Sequence, residues 1–130
     1  LMAEVPNGDW LALDEREYAY DRVPASSHVD HSYDLPHEVS IYAIAEGEHH
    51  APTKDHPILL SYLGTVVQGY LNEFGEDGVK AFFDTTSGWD APILDDTQNP
   101  IYPRTKILTQ RENNLLEDQM QRLNCHVIAP

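Results

Sequence analysis

The chain has 130 residues, of which 41% are apolar, so it is long enough for one domain with its own hydrophobic core and too apolar for a disordered chain. It carries 22 acidic and 8 basic residues, and this net charge of -14 repels phosphates and excludes nucleic acids and anionic membranes as expected partners. A single cysteine, Cys125, cannot form an intrachain disulfide and favours a reducing compartment, the cytoplasm. Composition leaves the oligomeric state open, and the short apolar runs predict no transmembrane helix.

The N-terminal part begins with strand character and then turns into a short helix. Residues 1–6 predict a strand that ends in proline. Because a strand at the first residue needs a neighbour to pair with, we expect the natural protein to begin upstream. Asn7 or Asp9 supplies an N-cap, and residues 10–17 predict the helix.

Extended structure is expected after this helix. Residues 18–31 are rich in tyrosine and valine and predict an extended segment that is broken near residues 24–27. Residues 38–45 alternate, which predicts a strand with both faces partly buried. We therefore interpret residues 1–45 as a β-rich part, which a polar loop over residues 46–55 separates from the rest.

The second half of the chain shows helical periodicity. Apolar residues over 57–74 recur at helical spacing, Gly75 ends this helix, and residues 76–84 predict a second one. Residues 85–106 contain one glycine and three prolines and predict an irregular, ordered loop.

A capping box predicts the start of the last helix. Thr109 stands three residues before Glu112, the spacing at which the two side chains bond the backbone at a helix N-terminus.

We interpret residues 57–124 as a helical part. Strands followed by helices predict the α+β class, and the absence of a linker predicts a single domain over residues 1–130.

Glu17 stands where an apolar residue is expected. At about 100° per residue, Trp10, Leu13 and Glu17 share one face of the first helix. Trp10 and Leu13 point at the core, so we expect Glu17 to point there too or at the edge of a cavity in it, with a pKa raised by the loss of hydration. Such a carboxyl group suits acid–base chemistry near neutral pH. The alternative is an earlier helix end, which leaves Glu17 in solvent or paired with Arg16 or Arg22.

The first helix carries a motif. Residues 13–17 read Leu-Asp-Glu-Arg-Glu, and residues 20–23 read Tyr-Asp-Arg-Val. This run resembles the signature of the γ-glutamylcyclotransferase family. Three later segments resemble a bacterial branch of that family with a helical C-terminal extension, so the resemblance covers nearly the whole chain. These segments are residues 56–63, 83–90 and 102–104.

The resemblance implies a fold and a chemistry. The fold is a small mixed β-barrel flanked by helices, with a helical C-terminal part. The reaction is an intramolecular aminolysis of a γ-glutamyl amide or peptide, which releases 5-oxoproline and a free amine. Glu17 matches the family's catalytic acid/base, and the reaction needs no metal and no cofactor. The identity of the leaving amine stays open.

Three further residues are candidates for substrate binding. Tyr20 and Tyr42 match family positions near the pocket, although ordinary barrel packing explains both aromatic residues equally well. Arg104 stands on a proline-bounded loop and is our candidate for bidentate binding of the substrate's α-carboxylate. The family's Tyr-Gly-Ser loop has no match in this chain, and we expect it upstream of Leu1.

Two other interpretations compete with the enzyme. Because the Tyr-Gly-Ser loop is missing, the alternative is an acidic, non-catalytic binding or interaction module that retains the fold. The densest histidine groups, residues 28–31 and 49–50, lack the helical spacing of a zinc site. Asp84 and the neighbouring Asp95 and Asp96 lack the pattern of an EF-hand. We therefore predict no metal site.

Overall fold

The computed structural model describes residues 2–30, 38–48 and 50–130. The chain divides into two compact units, Leu1–His50 and Ala51–Pro130. Helices and strands occur in both, so the chain belongs to the α+β class. A single domain over residues 1–130 stays a prediction.

Over its described residues, the first unit combines one α-helix with a two-stranded antiparallel ribbon. In the ribbon, Arg22 lies opposite Tyr42, and Val23 lies opposite Ile41. Short 3₁₀ turns precede the helix and follow the first strand. The elements in chain order are a 3₁₀ turn (Pro6–Gly8), α1 (Trp10–Arg16), β1 (Asp21–Pro24), a second 3₁₀ turn (Ser26–His28) and β2 (Ser40–Ala43).

Local signals explain where α1 begins and ends. The Asp9 carboxylate accepts a hydrogen bond of 3.1 Å from the Ala12 N–H, which satisfies one free donor at the helix N-terminus. The helix ends at Arg16, and the N–H of Glu17, its C-cap, donates to a carbonyl one turn earlier at 2.9 Å. The predicted helix and the Asp9 cap are confirmed, and the helix ends one residue before the predicted boundary.

The strand predicted for residues 1–6 is wrong over its described part. Residues 2–5 lie outside any helix or strand, and Leu1 is not among the described residues. A strand needs a partner for its backbone N–H and C=O groups, and β1 pairs with β2 rather than with this segment. The extended structure predicted over residues 18–31 and 38–45 contains β1 and β2, and residue 31 lies outside the described part.

The second unit alternates strands and helices. Its sheet is parallel, in the order β3-β4-β5, and Ile93 on the central strand lies between Ile58 and Val127. The two helices make the crossovers that parallel strands require. The elements in chain order are β3 (Ile58–Leu59), α2 (Leu60–Thr85), β4 (Pro92–Leu94), α3 (Gln110–Arg122) and β5 (His126–Ile128).

These three strands are the main difference from the helical part predicted over residues 57–124. Each strand has only two or three residues. A segment of that length shows neither alternation nor a long apolar run, so its sequence carries no recognisable period. Strand β4 also lies inside the loop predicted over residues 85–106, which is therefore more regular than expected.

The hydrophobic core of the second unit contains residues of both helices and of the central strand. Each side chain buried there contributes about 1.5–3 kcal/mol relative to an exposed one. The Trp89 indole N–H donates to the Phe83 carbonyl at 3.0 Å, which ties the chain after α2 to that helix. The buried apolar side chains are those of Leu63, Val67, Val79, Phe83, Ile93, Leu116 and Met120.

Gly75 divides α2 into two helical segments. Its backbone has φ 70° and ψ -169°, which is not helical and is accessible almost only to glycine. The predicted helix break at Gly75 is therefore confirmed. The capping box is confirmed as well, because the Thr109 and Glu112 side chains each bond the other's backbone N–H at the start of α3.

Asp96 ties the end of β4 to the start of α2. Its side chain is 4% exposed and accepts hydrogen bonds from the Ser61 N–H at 2.8 Å, the Ser61 hydroxyl at 2.6 Å and the Ile101 N–H at 2.8 Å. Burial raises the pKa of the Asp96 carboxyl, but these hydrogen bonds outweigh burial and hold the pKa below its usual range. The group is therefore a satisfied, ionised carboxylate inside the fold.

The β-barrel that the resemblance implies stays a prediction. Among the described residues, the sheets have two and three strands, and neither closes into a barrel. In those same ranges, no helix is both long enough and apolar enough to cross a membrane.

We expect Gly75→Ala to lower the free energy of unfolding by about 1–3 kcal/mol, because alanine is strained at a φ of 70° and ψ of -169°. Gly69→Ala is the matched control. Gly69 lies within α2 with nothing within 4 Å of an added Cβ, so this change should raise stability by about 0.5–1 kcal/mol. Urea unfolding measures both changes. If Gly75→Ala is as stable as the wild type, the break does not depend on glycine.

We expect Asp96→Ala to lower the free energy of unfolding by about 1–3 kcal/mol near neutral pH, because the Ser61 and Ile101 donors lose their acceptor. The pKa of Asp96 is lower in the folded than in the unfolded chain. Its ionised form therefore stabilises the fold above the unfolded pKa of about 3.9, and this contribution is lost as the pH falls through the folded pKa.

Urea unfolding as a function of pH tests this dependence. The difference between the wild type and Asp96→Ala should shrink on the acid side. Asp95→Ala is the control. Within the part of the chain that the structure describes, the Asp95 side chain accepts hydrogen bonds only from Thr97, two residues away and exposed, so the change should cost less than about 1 kcal/mol. A difference that does not change with pH would contradict the assignment.

Candidate functional site

The carboxylate of Asp14 joins α1 to the ribbon. The Tyr42 hydroxyl donates a short hydrogen bond to Oδ1 of Asp14. The Nε atom of Arg22 lies 3.1 Å from the same oxygen. Because Arg22 and Tyr42 are cross-strand partners, their side chains stand on one face of the ribbon, where a single acceptor reaches both. These three residues form the Asp14 cluster.

Trp10 extends the Asp14 cluster. The Arg22 guanidinium lies over the indole, 4.6 Å from its centroid, in cation–π geometry. Trp10 and Asp14 are four residues apart on α1 and so share a face of the helix. The Arg22 guanidinium therefore lies next to a carboxylate and packs its flat face on an aromatic ring. The Arg22 side chain is 32% exposed.

Glu17 follows the last residue of α1 and is only partly buried. Its side chain is 29% exposed, and its Oε1 atom lies 2.8 Å from both Nε and a terminal nitrogen of Arg16. Glu17 is therefore not fully buried in a core, and it lies one residue beyond the end of the helix. The pairing with Arg16 is one of the alternatives that the sequence left open.

Tyr42 connects the Asp14 cluster with Glu17. Partial burial raises the pKa of Tyr42, and the hydrogen bond and negative charge of Asp14 raise it further. The charge of Glu17 acts in the same direction, and Arg22 opposes them. Glu17 is thus close enough for its charge to act on the Tyr42 hydroxyl. The hydroxyl stays protonated at neutral pH and acts as a hydrogen-bond donor.

The structure places the other predicted substrate residues differently. Tyr20 is 46% exposed, and its backbone N–H donates to the Glu17 carbonyl at 2.8 Å in the turn after α1. Arg104 is exposed and belongs to the second unit, where its guanidinium lies 6.0 Å from the ring centroid of Tyr102. The substrate-binding roles of Tyr20, Tyr42 and Arg104 stay predictions.

The acidic residues considered as a cation site accept hydrogen bonds or pair with basic side chains instead. Asp84 pairs with Lys80 at 2.6 Å and with Arg122 at 2.8 Å. Asp95 accepts from Thr97, as described above. Within the described ranges, no group of three or more histidine, cysteine, aspartate or glutamate side chains is arranged to hold a metal ion. Of the histidine groups, residues 31 and 49 lie outside these ranges.

A cavity of about 820 Å³ lies in the second unit, between α2, α3 and β5. Cys125 lines it, and burial raises the pKa of the thiol, which keeps the group protonated and weakly nucleophilic. The wall also mixes an acid, Asp95, with a base, Lys106, and several amides. This mixture selects no single class of ligand, so we assign the cavity no function.

Sequence analysis missed the roles of Asp14 and Arg22. Both belong to the motif segments, but the family resemblance implies a catalytic role for Glu17 and none for Asp14 or Arg22. A signal was present, because Trp10 and Asp14 are spaced to share a helix face. The register that places Arg22 opposite Tyr42 was not readable from either strand alone.

Comparisons with known proteins do not assign the chain to a family. No family model matches it, and neither a curated protein nor a solved structure does. The resemblance to γ-glutamylcyclotransferases therefore rests on the motif residues of the sequence.

We expect Asp14→Asn to lower the pKa of Tyr42 toward its ordinary value, because the change removes both a charge and a charged hydrogen-bond acceptor. NMR titration of ¹³C-labelled tyrosine follows the Tyr42 ring directly. Glu15→Gln is the matched control, because it removes one charge from an exposed neighbouring residue of α1. An unchanged Tyr42 titration in Asp14→Asn would rule out the Asp14–Tyr42 hydrogen bond in solution.

Proposed function

We propose that the protein is a γ-glutamylcyclotransferase that acts on a γ-glutamyl amide or peptide. The Glu17 carboxylate takes a proton from the α-ammonium of the substrate, and the freed nitrogen attacks the γ-carbonyl carbon. A C–N bond closes the five-membered ring as the γ C–N bond breaks. Glu17 passes its proton to the leaving nitrogen, and the second α-nitrogen proton is transferred to the same nitrogen, so the products are 5-oxoproline and the ammonium form of the leaving amine. Glu17 ends the cycle as a carboxylate.

One observation carries this proposal. The charge of Glu17, a glutamate from the motif segment, raises the pKa of the Tyr42 hydroxyl, which is neutral and hydrogen-bonded to Asp14. The Glu17 Oε1 atom pairs with Arg16, and the Glu17 side chain is 29% exposed, so solvent reaches the carboxylate. General acid–base catalysis needs a carboxylate that a substrate can reach, and it typically contributes about 10²–10⁴-fold to the rate.

The remaining roles follow from this assignment. Tyr42 lies near the reacting atoms; its hydroxyl proton is donated to Asp14, so its oxygen can accept a hydrogen bond from the substrate. Tyr20 binds another part of the substrate. The binding role predicted for Arg104, which belongs to the second unit, stays a prediction. The attacking amine is tethered to its target, so the substrate itself supplies much of the orientation. The proposal includes the small mixed β-barrel, a cytoplasmic location and a reaction without metal or cofactor. It includes no nucleic acid and no membrane as partner.

The second candidate is a non-catalytic binding or interaction module that retains the fold. The Arg16–Glu17 ion pair favours it, because the Arg16 guanidinium occupies one oxygen of the carboxylate that would have to meet the substrate. Arg16 is itself 71% exposed, and exposed pairs of this kind are worth at most about 1 kcal/mol. A bound substrate ammonium can therefore displace it, and we prefer the enzyme.

The test is release of 5-oxoproline from a panel of γ-glutamyl amides and dipeptides, measured by mass spectrometry. We expect Glu17→Gln to lower kcat by at least about 10²-fold, because glutamine cannot carry the proton. Glu15→Gln removes the same charge from an exposed site on the same helix and should retain activity.

Each outcome separates the two candidates. Release that is lost only in Glu17→Gln supports the enzyme, and the panel identifies the leaving amine. Equal release by both variants means that Glu17 is not the acid/base. No release by the wild type on any member of the panel favours the binding module.

A further inference from the structure

We infer that Arg22 is the residue that binds the α-carboxylate of the ligand, and that Asp14 and Trp10 are the residues that position it. The inference rests on the proposed function for the identity of the ligand, a γ-glutamyl compound with a free α-amino acid end. It replaces Arg104, the sequence-based candidate, by a residue of the Asp14 cluster.

The first step is the geometry of the guanidinium. An arginine side chain offers two edges that each fit a carboxylate in bidentate fashion. In Arg22, Nε lies 3.1 Å from Oδ1 of Asp14. The end of the guanidinium carries the two terminal nitrogens, and within residues 2–30, 38–48 and 50–130 no acidic residue other than Asp14 pairs with Arg22. This end fits a second carboxylate.

The second step is preorganisation. The Trp10 ring lies 4.6 Å from the guanidinium carbon and restricts the plane of the group, while Asp14 restricts its rotation. A guanidinium whose orientation is already fixed loses less side-chain entropy on binding than that of a freely rotating arginine. With 32% of its side chain exposed, Arg22 is both held in place and accessible to a small ligand.

The third step is charge. The net charge of -14 repels an anionic ligand, so a carboxylate needs a local, oriented partner. The positive charge of Arg22 is balanced by Asp14, and the negative charge of Glu17 also acts on the Tyr42 hydroxyl beside them. A zwitterion fits this pattern better than a simple anion. Its carboxylate meets Arg22, and its ammonium meets Glu17.

Other arginines fit the role less well. Arg16 is 71% exposed and already directs both Nε and a terminal nitrogen at Glu17. Arg104 contacts an aromatic ring only at 6.0 Å and has no carboxylate that orients it among the described residues. Only Arg22, of these three, combines an orienting acid with an aromatic platform.

The experiment compares two probes, γ-glutamylalanine and its analogue in which the α-carboxylate is a carboxamide. Binding is measured by isothermal titration calorimetry, and 5-oxoproline is followed separately. We expect the wild type to prefer the carboxylate by about 10- to 100-fold, because a charged bidentate hydrogen bond is lost with the carboxamide. Arg22→Gln should abolish this preference, with a larger effect on KM than on kcat where turnover occurs.

Two further variants make the result specific. Arg22→Lys keeps the positive charge and removes the bidentate guanidinium. Its preference for the carboxylate probe should therefore fall well below that of the wild type, while its urea unfolding shows an intact fold. Arg111→Gln, which removes an exposed arginine paired with Glu76 in the second unit, is the control and should keep the wild-type preference.

The outcomes separate this inference from the proposed function. If Arg22→Gln keeps the preference, or if Arg104→Gln loses it instead, Arg22 does not bind the carboxylate, whether or not 5-oxoproline forms. If neither probe binds the wild type, the inference is also overturned. If the preference is lost in Arg22→Gln and the wild type releases no 5-oxoproline, Arg22 binds the carboxylate and the enzyme assignment fails.

Discussion

The hydrogen-bonded carboxylate of Asp14 is the interaction on which the candidate site depends. It accepts from Tyr42 on β2 and pairs with Arg22 on β1, so one side chain of α1 holds both strands. A two-stranded ribbon is only marginally stable by itself. The contact therefore orients the ribbon relative to the helix, and it fixes the Tyr42 hydroxyl, on which the charge of Glu17 also acts.

Two carboxylates show how environment separates structural from chemical roles. Asp96 is buried, and three donors satisfy it, so it stabilises the connection between β4 and α2 and is closed to ligands. Glu17 is partly exposed and uses one oxygen on a surface arginine. A group that is to exchange protons with a substrate must be accessible, and Glu17 meets this requirement whereas Asp96 does not. The more deeply buried of these two carboxylates therefore belongs to the scaffold and not to the candidate site.

Prediction from sequence succeeded where a signal is local. The Asp9 cap, the break at Gly75 and the capping box of Thr109 each depend on residues within a few positions of one another, and each is present in the structure. It failed for β3, β4 and β5, because strands of two or three residues exist only through their neighbours in the sheet. It also failed for residues 2–5, whose strand character is not matched by a partner strand among the described residues.

The sequence by itself determined the α+β fold class, the helices and the motif that contains Glu17, because composition, periodicity and caps are properties of neighbouring residues. Only the tertiary structure decided what surrounds Glu17. The pairing of Arg22 with Tyr42 depends on the register between two strands that are far apart in the chain, and a pattern of period two defines the faces of a strand but not its register. The same holds for the exposure of Glu17, which a difference of one residue at the end of α1 changed from buried to accessible.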